Sequence, residues 1–415
     1  MITSPALSDT EQAVLAAVYE QTQATKPELA RLLSFSQPTI GTAVAQLEGH
    51  GLISRRQERK TGLGRAAAIY GLSETAGWLL GIDVGTTRVS FLARTIAGEV
   101  ILSERFAVSE DPASQAKEVE AVLRAEVRRI EDDCSKAHGP LRGIGIALPR
   151  VISTYVRERV DSRDPARHTL GPLVAALGTS PDIPILLENN VNCAALAESI
   201  HGSAAGRPNF VYIQVGIGIG AGIMAGGRLL RGAAGAAGEI ALIPLGTPRR
   251  GQAPTRADEL EAHLGSNGLL QRAQRAWAGT DEAPPQSIPE LFSRADDGSP
   301  TARRLVRRHA ADTARLIATL CAVLNPECVV LGGGMGQNTL LFEEIERVLP
   351  AQIAHIGPLE VRQSALGETA SVIGAVDLTL DFVLRGLLAA HHRARIDDHQ
   401  VYVVQSTQTG STTTP

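Results

Sequence analysis

Apolar residues recur along this chain with two different periods, and the change between them separates its parts. Over the first fifty residues the period is helical. Val14, Leu15 and Val18 follow Ser8-Asp9-Thr10-Glu11, a capping box whose hydroxyl and carboxylate satisfy orphan amides at a helix start. Thr25-Lys26-Pro27-Glu28 repeats the device ahead of Leu29, Leu32 and Leu33. Ser36-Gln37-Pro38 opens a third helix, since proline is tolerated in a first turn. Its apolar face is Ile40, Val44 and Leu47; its other face is Gln37, Thr39, Thr42 and Gln46. Gly49 and Gly51 end it. Leu52 to Arg56 and Ala66 to Leu72 then read as strands, joined by a loop with Arg59, Lys60, Gly62, Gly64 and Arg65. Between Gly51 and Leu72 five basic residues face one acid, Glu58.

From about residue 77 to 390 the pattern becomes strand, glycine turn, strand, with helices between. One such hairpin is Gly81-Ile82-Asp83-Val84-Gly85-Thr86-Thr87-Arg88, followed by apolar Val89 to Ala93. A second is Val215-Gly216-Ile217-Gly218-Ile219-Gly220-Ala221-Gly222, followed by Ile223 to Ala225. Glycines at such turns let backbone amides approach phosphates; taken singly, each also reads as a tight turn and nothing more. Ala116 to Cys134 carries Val119, Val122, Leu123, Val127 and Ile130 at helical spacing, and residues 302–323 are equally periodic. Both read as core packing. The polar tail after Arg393 lacks the apolar content to pack and is expected to be disordered.

A length of 415 residues implies two or three domains. The net charge of −4 supplies no global basic field, so any affinity for nucleic acid must come from a local cluster. The four cysteines, Cys134, Cys193, Cys321 and Cys328, form no Cys-x-x-Cys pair, which argues against a disulfide framework and a compact zinc site. The start lacks the basic-then-apolar pattern of a secretory signal, and no apolar run approaches about 18 residues. A cytoplasmic protein without membrane contact is expected.

Three short helices followed by a basic hairpin resemble a winged helix-turn-helix. The resemblance implies a third helix that reads base edges in the major groove and a wing whose arginines hold phosphates. The candidate DNA-binding residues are Gln37, Thr39, Thr42, Gln46, Arg55, Arg56, Arg59 and Arg65. A small helical interaction domain with a solvated basic hairpin has a similar pattern. Order, caps, polar face and wing agree on the DNA-binding reading.

The body resembles the ROK family, which holds repressors and sugar kinases. The resemblance is carried by both glycine hairpins and by Gly143-Ile144-Gly145-Ile146-Ala147-Leu148-Pro149. It continues through Glu188-Asn189-Asn190-Val191-Asn192, Gly226-Gly227-Arg228-Leu229 and Gly235-Ala236-Ala237-Gly238-Glu239. It closes with Leu324-Asn325-Pro326 and the strand and turn to Gly334. It implies an α/β chain: an N-terminal winged helix-turn-helix over residues 1–75, then a two-lobed actin-like (ribonuclease H-like) ATPase fold over residues 76–392. Residues 393–415 form the tail.

Departures from the family pattern bear on activity. Kinase members place an Asp where this chain has Asn190, and an amide cannot act as general base, although it can hydrogen-bond a sugar. The family's Asp-x-Gly-Gly-Thr becomes Asp83-Val84-Gly85-Thr86-Thr87, and Gly-Thr-Gly becomes Gly216-Ile217-Gly218. Pro-Gly-Pro-Val-Asp becomes Pro149-Arg150-Val151-Ile152-Ser153. The His and the Cys-rich knuckle that follow Gly-Glu in relatives are missing after Glu239, so no zinc and no other cofactor is expected. The effector-binding candidates are Asn189, Asn190, Glu239 and Glu261, from the resemblance, and Arg150, a long cation where the family has glycine. The resemblance also implies a vestigial nucleotide site at Asp83, Gly85, Gly216, Gly218 and Gly333. Arg150 suits an anionic effector such as a sugar phosphate.

Three readings follow. The first is a ligand-gated regulator, most simply a repressor, that binds double-stranded operator DNA as a homodimer or homotetramer and senses a sugar or sugar phosphate. The second is an ATP-dependent sugar kinase with an attached DNA-binding domain. The third is a DNA-binding scaffold indifferent to ligands.

Overall fold

Three capped helices open the computed structural model, which describes residues 6–59, 67–152, 170–243, 259–278, 282–391 and 402–404. These are α1 (Asp9–Gln21), α2 (Lys26–Leu33) and α3 (Gln37–Gly49). Both expected capping boxes form: Ser8 with Glu11, and Thr25 with Glu28. Ile40, Val44 and Leu47 are fully buried, so the helical period of the sequence is the period of burial. Past the end of α3, Gly51 takes φ +68°, the left-handed turn that reverses the chain into a strand. Strands β1 (Gln23–Thr25), β2 (Ile53–Arg59) and β3 (Ala67–Leu72) form a sheet in the order β1-β3-β2. This is a winged helix-turn-helix. Its wing tip falls outside the described residues.

By contact the chain divides into two compact units, residues 1–150, 156–188 and 375–415 in one, 151–155 and 189–374 in the other. The first unit contains the winged head and a six-stranded sheet. Five of its strands are β4 (Trp78–Val84), β5 (Arg88–Thr95), β6 (Val100–Ala107), β7 (Leu141–Leu148) and β8 (Ile185–Asn189), with α4 (Pro112–His138) and α5 (Gly171–Leu177) between strands, and the sixth comes from the tail. Head and sheet are joined by residues 73–77, and the junction is tied at both ends. Ser73 donates its amide to the Leu52 carbonyl, and the Arg142 guanidinium donates to the Ala76 carbonyl at 3.1 Å.

The second unit begins with α6 (Asn190–His201) and the strands β9 (Phe210–Val215), β10 (Ile219–Ala225) and β11 (Arg228–Leu229). It continues with α7 (Glu259–Leu264), α8 (Ser266–Trp277), α9 (Ile288–Asp296) and α10 (Pro300–Leu324). Then come β12 (Cys328–Gly332), α11 (Gly333–Gly336), α12 (Thr339–Gln352) and β13 (Glu360–Gln363). Its sheet runs β11-β10-β9-β12-β13, with β12 parallel to β9. Along these strands alternate residues feed two cores. Val211, Ile213, Val329 and Leu331 join one cluster, and Phe210, Tyr212, Cys328 and Val330 join the other. Both faces are covered, so the strands read as continuous apolar runs.

Helix α13 (Ala370–Leu388) begins in the second unit and continues into the first, where Asp377 pairs with buried Arg94 of β5 at 2.7 Å. The tail, expected to be unstructured, contributes β14 (Tyr402–Val404), antiparallel to β8 and next to it at the sheet edge. Tyr-Val-Val is a run of strand-favouring residues, and an open edge is where such a run pairs.

Candidate functional site

On the winged head the four α3 candidates, Gln37, Thr39, Thr42 and Gln46, are all exposed, while the opposite face of the helix is buried. The two threonines are turned onto their own first turn. Thr39 Oγ1 lies 2.7 Å from Ser36 Oγ, and Thr42 Oγ1 donates to the Pro38 carbonyl at 3.2 Å. Their hydroxyls are thereby oriented by the helix itself, while the side chains of Gln37 and Gln46 make no hydrogen bond to a described residue. Arg55 is exposed on β2. Arg56 is engaged elsewhere: its guanidinium bridges the Glu74 carboxylate and the Leu72 carbonyl and so holds the junction out of the head. Arg59 ends β2, and Arg65 lies outside the described residues.

In the first unit Asp83 is the last residue but one of β4, paired with Ser90 across the hairpin. It is 7 % exposed, and its Oδ1 has no hydrogen-bond partner. Burial raises its pKa from 3.8 to about 6, opposed by the guanidinium groups of Arg88 and Arg105. The hairpin sequence itself contains Arg88; Arg105 comes from β6, and only the sheet brings it near. Gly85 makes the turn, its amide donating to the Arg88 carbonyl at 2.9 Å. Arg150 follows β7 and is exposed.

The second unit gathers the other candidates. Asn189 caps α6: its Oδ1 accepts from the amides of Val191 and Asn192 at 2.8 and 3.2 Å. Asn190, the first residue of the helix, is half-buried, and its side chain makes no hydrogen bond to a described residue. Helix α6 sits close on β10. A Cβ on Gly222 would lie 2.5 Å from the Ala195 side chain, so the helix approaches only because the strand is bare there.

Glu239 follows Gly238, whose φ of +88° and close approach to the Ala221 carbonyl admit only glycine. Its carboxyl is half-buried and held above the usual carboxylate range, by burial first and by Glu261 second. Glu261 Oε2 accepts the Ile219 amide at 3.1 Å, directly after the turn of the β9–β10 hairpin. A Cβ on Gly218 would meet that oxygen at 3.2 Å. Gly216 lies against Gly333 and Gly334, where Gly333 takes φ +76°. The unit thus brings Glu239 and Glu261 together and sets Gly216, Gly218 and Gly333 around one turn, with Ile217 exposed at its tip.

This arrangement has carboxylate acceptors for hydroxyl groups. Among the described residues no group of three or more His, Cys, Asp or Glu could hold a metal ion, and no helix is long and apolar enough to cross a membrane. The segment in which relatives carry the Cys-rich knuckle lies outside the described residues. A network that the sequence did not single out stands behind Glu261. It joins His263, Arg272, His309 and Asp312, whose spacing follows no motif, and only packing brings them together.

Comparison with known proteins agrees with both halves of the chain. Residues 79–381 match the ROK family model, and residues 7–60 match the MarR family model. The xylose repressor of Caldicellulosiruptor bescii is 24% identical over 390 residues, 89% of this chain and 95% of that protein. The N-acetylmannosamine kinase of Escherichia coli O157:H7 is 31% identical over 267 residues, 62% of this chain and 83% of the enzyme. A crystal structure of a ROK family transcriptional regulator, a homologue of the Escherichia coli MLC protein, superposes with a TM-score of 0.66 at 21% identity. That match covers 92% of this chain and 99% of the other, and it bears on the fold. By the match that spans most of its length, the chain belongs to the ROK family.

Proposed function

We propose that the protein is a sequence-specific DNA-binding transcriptional regulator, acting as a repressor, whose operator affinity is set by a sugar or sugar-derived molecule. The observation that carries this reading is a winged head with an exposed glutamine and threonine face, joined to a ROK domain; Asn190, standing where the resemblance implies the Asp of kinase members, supports it. Asn190, Glu239 and Glu261 hold the effector hydroxyls, with Asn189 orienting the start of α6. Arg150, taken by itself, carries a guanidinium suited to an anionic effector. The likeness to a repressor over nearly its whole length supports the same view. An effector changes operator affinity only as far as it prefers one of two protein states. The protein acts as a homodimer or homotetramer, because a repeated head doubles the phosphate contacts on a two-fold operator.

Fluorescence anisotropy with DNA from upstream of its own and neighbouring genes tests this, at fixed salt, with D-xylose, D-glucose, N-acetylmannosamine and their phosphates. Selective binding that one compound changes supports the proposal. Binding that ignores every compound favours the scaffold reading. Retained Asp83 and the glycine turns give the kinase reading its support. ATP-dependent phosphorylation of any of these sugars at an ordinary enzymatic rate would establish that reading instead. Replacing the base costs on the order of 10² to 10⁴-fold, so the expected turnover is marginal.

A further inference from the structure

We propose that Asp312, His263 and Arg272 are positioning residues of the ligand site, fixing α7 and through it the carboxylate of Glu261. The proposal rests on the reading of Glu261 as a ligand-holding residue. Helix α7 has six residues, too few to be stable by itself, so outside contacts must set its place. Leu260 and Leu264 are buried beneath it. The Ser266 amide ties its far end to the Gly216 carbonyl at 2.8 Å.

Glu261 and His263 are two residues apart, so their side chains leave the helix about 200° apart. Glu261 reaches the glycine hairpin. His263 reaches back to α8 and α10, with Nε2 2.8 Å from Asp312 and Nδ1 3.0 Å from Nη1 of Arg272. A guanidinium can only donate, so Nδ1 accepts and Nε2 gives its proton to Asp312. The same Nη1 donates to the His263 backbone carbonyl, a cation at the helix C-terminus. The second oxygen of Asp312 is held by Arg315 at 2.9 Å. Arg272 Nη2 lies 3.1 Å from Nδ1 of His309, which is fully buried with Nε2 unpartnered. Burial first, then the Arg272 guanidinium, push His309 down to about 3, against the pull of Asp312, so it is a neutral acceptor.

This network is costly. Burial lowers the pKa of Arg272, and an orphaned buried nitrogen forfeits a hydrogen bond. Apolar side chains would pack α8 on α10 without either cost. What they would not do is fix α7 in rotation, by the His263 ring, and along its axis, by the His263 carbonyl.

The Ile219 amide reports on Glu261, and hydrogen exchange in the full chain reads it. Loss of a charge-assisted bond predicts that His263→Phe and Asp312→Ala each speed Ile219 exchange about tenfold, while β12 amides stay protected. His263→Gln restores protection, because its amide gives N–H to Asp312 and accepts from Arg272 on its oxygen. In titrations with N-acetylmannosamine, D-glucose and D-xylose, any sugar bound by the wild type loses about tenfold in affinity in His263→Phe and regains it in His263→Gln. Unchanged Ile219 exchange in folded variants, or equal loosening of β12, overturns the proposal. Asp312→Ala acts from outside α7 and keeps the test intact if His263→Phe does not fold. If no sugar binds the wild type, the sugar reading of the site fails, while the exchange result still decides the positioning role.

Discussion

At Asp83 a carboxyl is kept where burial disfavours its charge. A shift from 3.8 to about 6 corresponds to roughly 3 kcal/mol of penalty on the ionised form at neutral pH. Between these values the folded chain holds more protons than the unfolded one, so this group's contribution to stability increases as pH falls from about 6 towards 3.8. Asp83→Asn removes the charge and keeps the shape. It is expected to stabilise the protein by roughly 2–3 kcal/mol at pH 7.5, with the gain vanishing near pH 4. Thermal denaturation of both proteins at the two pH values checks this, and an equal gain at both would mean that ionisation is not the cost. Arg56 shows the opposite situation. The sequence placed it among phosphate contacts, but Glu74 lies across the junction and takes its guanidinium. The strand assignment was readable in the chain, whereas the competition between two partners was not.

Among the elements, those with local causes were legible and those with distant causes were not. Capping boxes, proline in first turns and helical spacing located α1 to α3 and α10 closely, and α4 to within four residues at each end, because each is decided within a few residues. The pairing of β12 with β9, the seating of β14 on β8 and the meeting of α7, α8 and α10 depend on residues far apart in the chain. The candidate site divides in the same way. Glu239 and Glu261 could be named from motif position, but their proximity to each other and the Ile219 bond come only from the folded unit. Two substitutions test the local causes. Thr25→Ala removes a buried cap and is expected to cost about 1 kcal/mol, seen as roughly fivefold faster exchange of the Glu28 amide and weaker operator binding. Gly238→Ala forces a side chain into a left-handed backbone against the Ala221 carbonyl. It should cost at least about 2 kcal/mol and loosen the Ala221 amide, which donates to Gly238. Exchange no faster than wild type in that variant would show that the turn accommodates a Cβ.

For the whole molecule the net charge of −4 sets the terms of DNA binding. Such a protein gains nothing from a general attraction to phosphate, and its acidic body is repelled. Affinity must therefore be concentrated on the winged head, where the basic residues and the exposed polar face of α3 proposed to read bases are different residues. That separation makes two kinds of loss distinguishable. Arg55→Ala is expected to remove one phosphate contact, so operator and random DNA should weaken together, and the slope of log affinity against log salt should shrink by about 1. Gln37→Ala removes a neutral group from the exposed face of α3. The operator should weaken by about 1–3 kcal/mol while random DNA is bound as before, with the salt slope unchanged. Anisotropy titrations over a salt series with both DNAs measure all four quantities. A Gln37→Ala protein that loses operator and random DNA equally would place α3 away from the base edges. DNA affinity would then have to come from the basic hairpin alone, as in a chain that holds DNA without reading it.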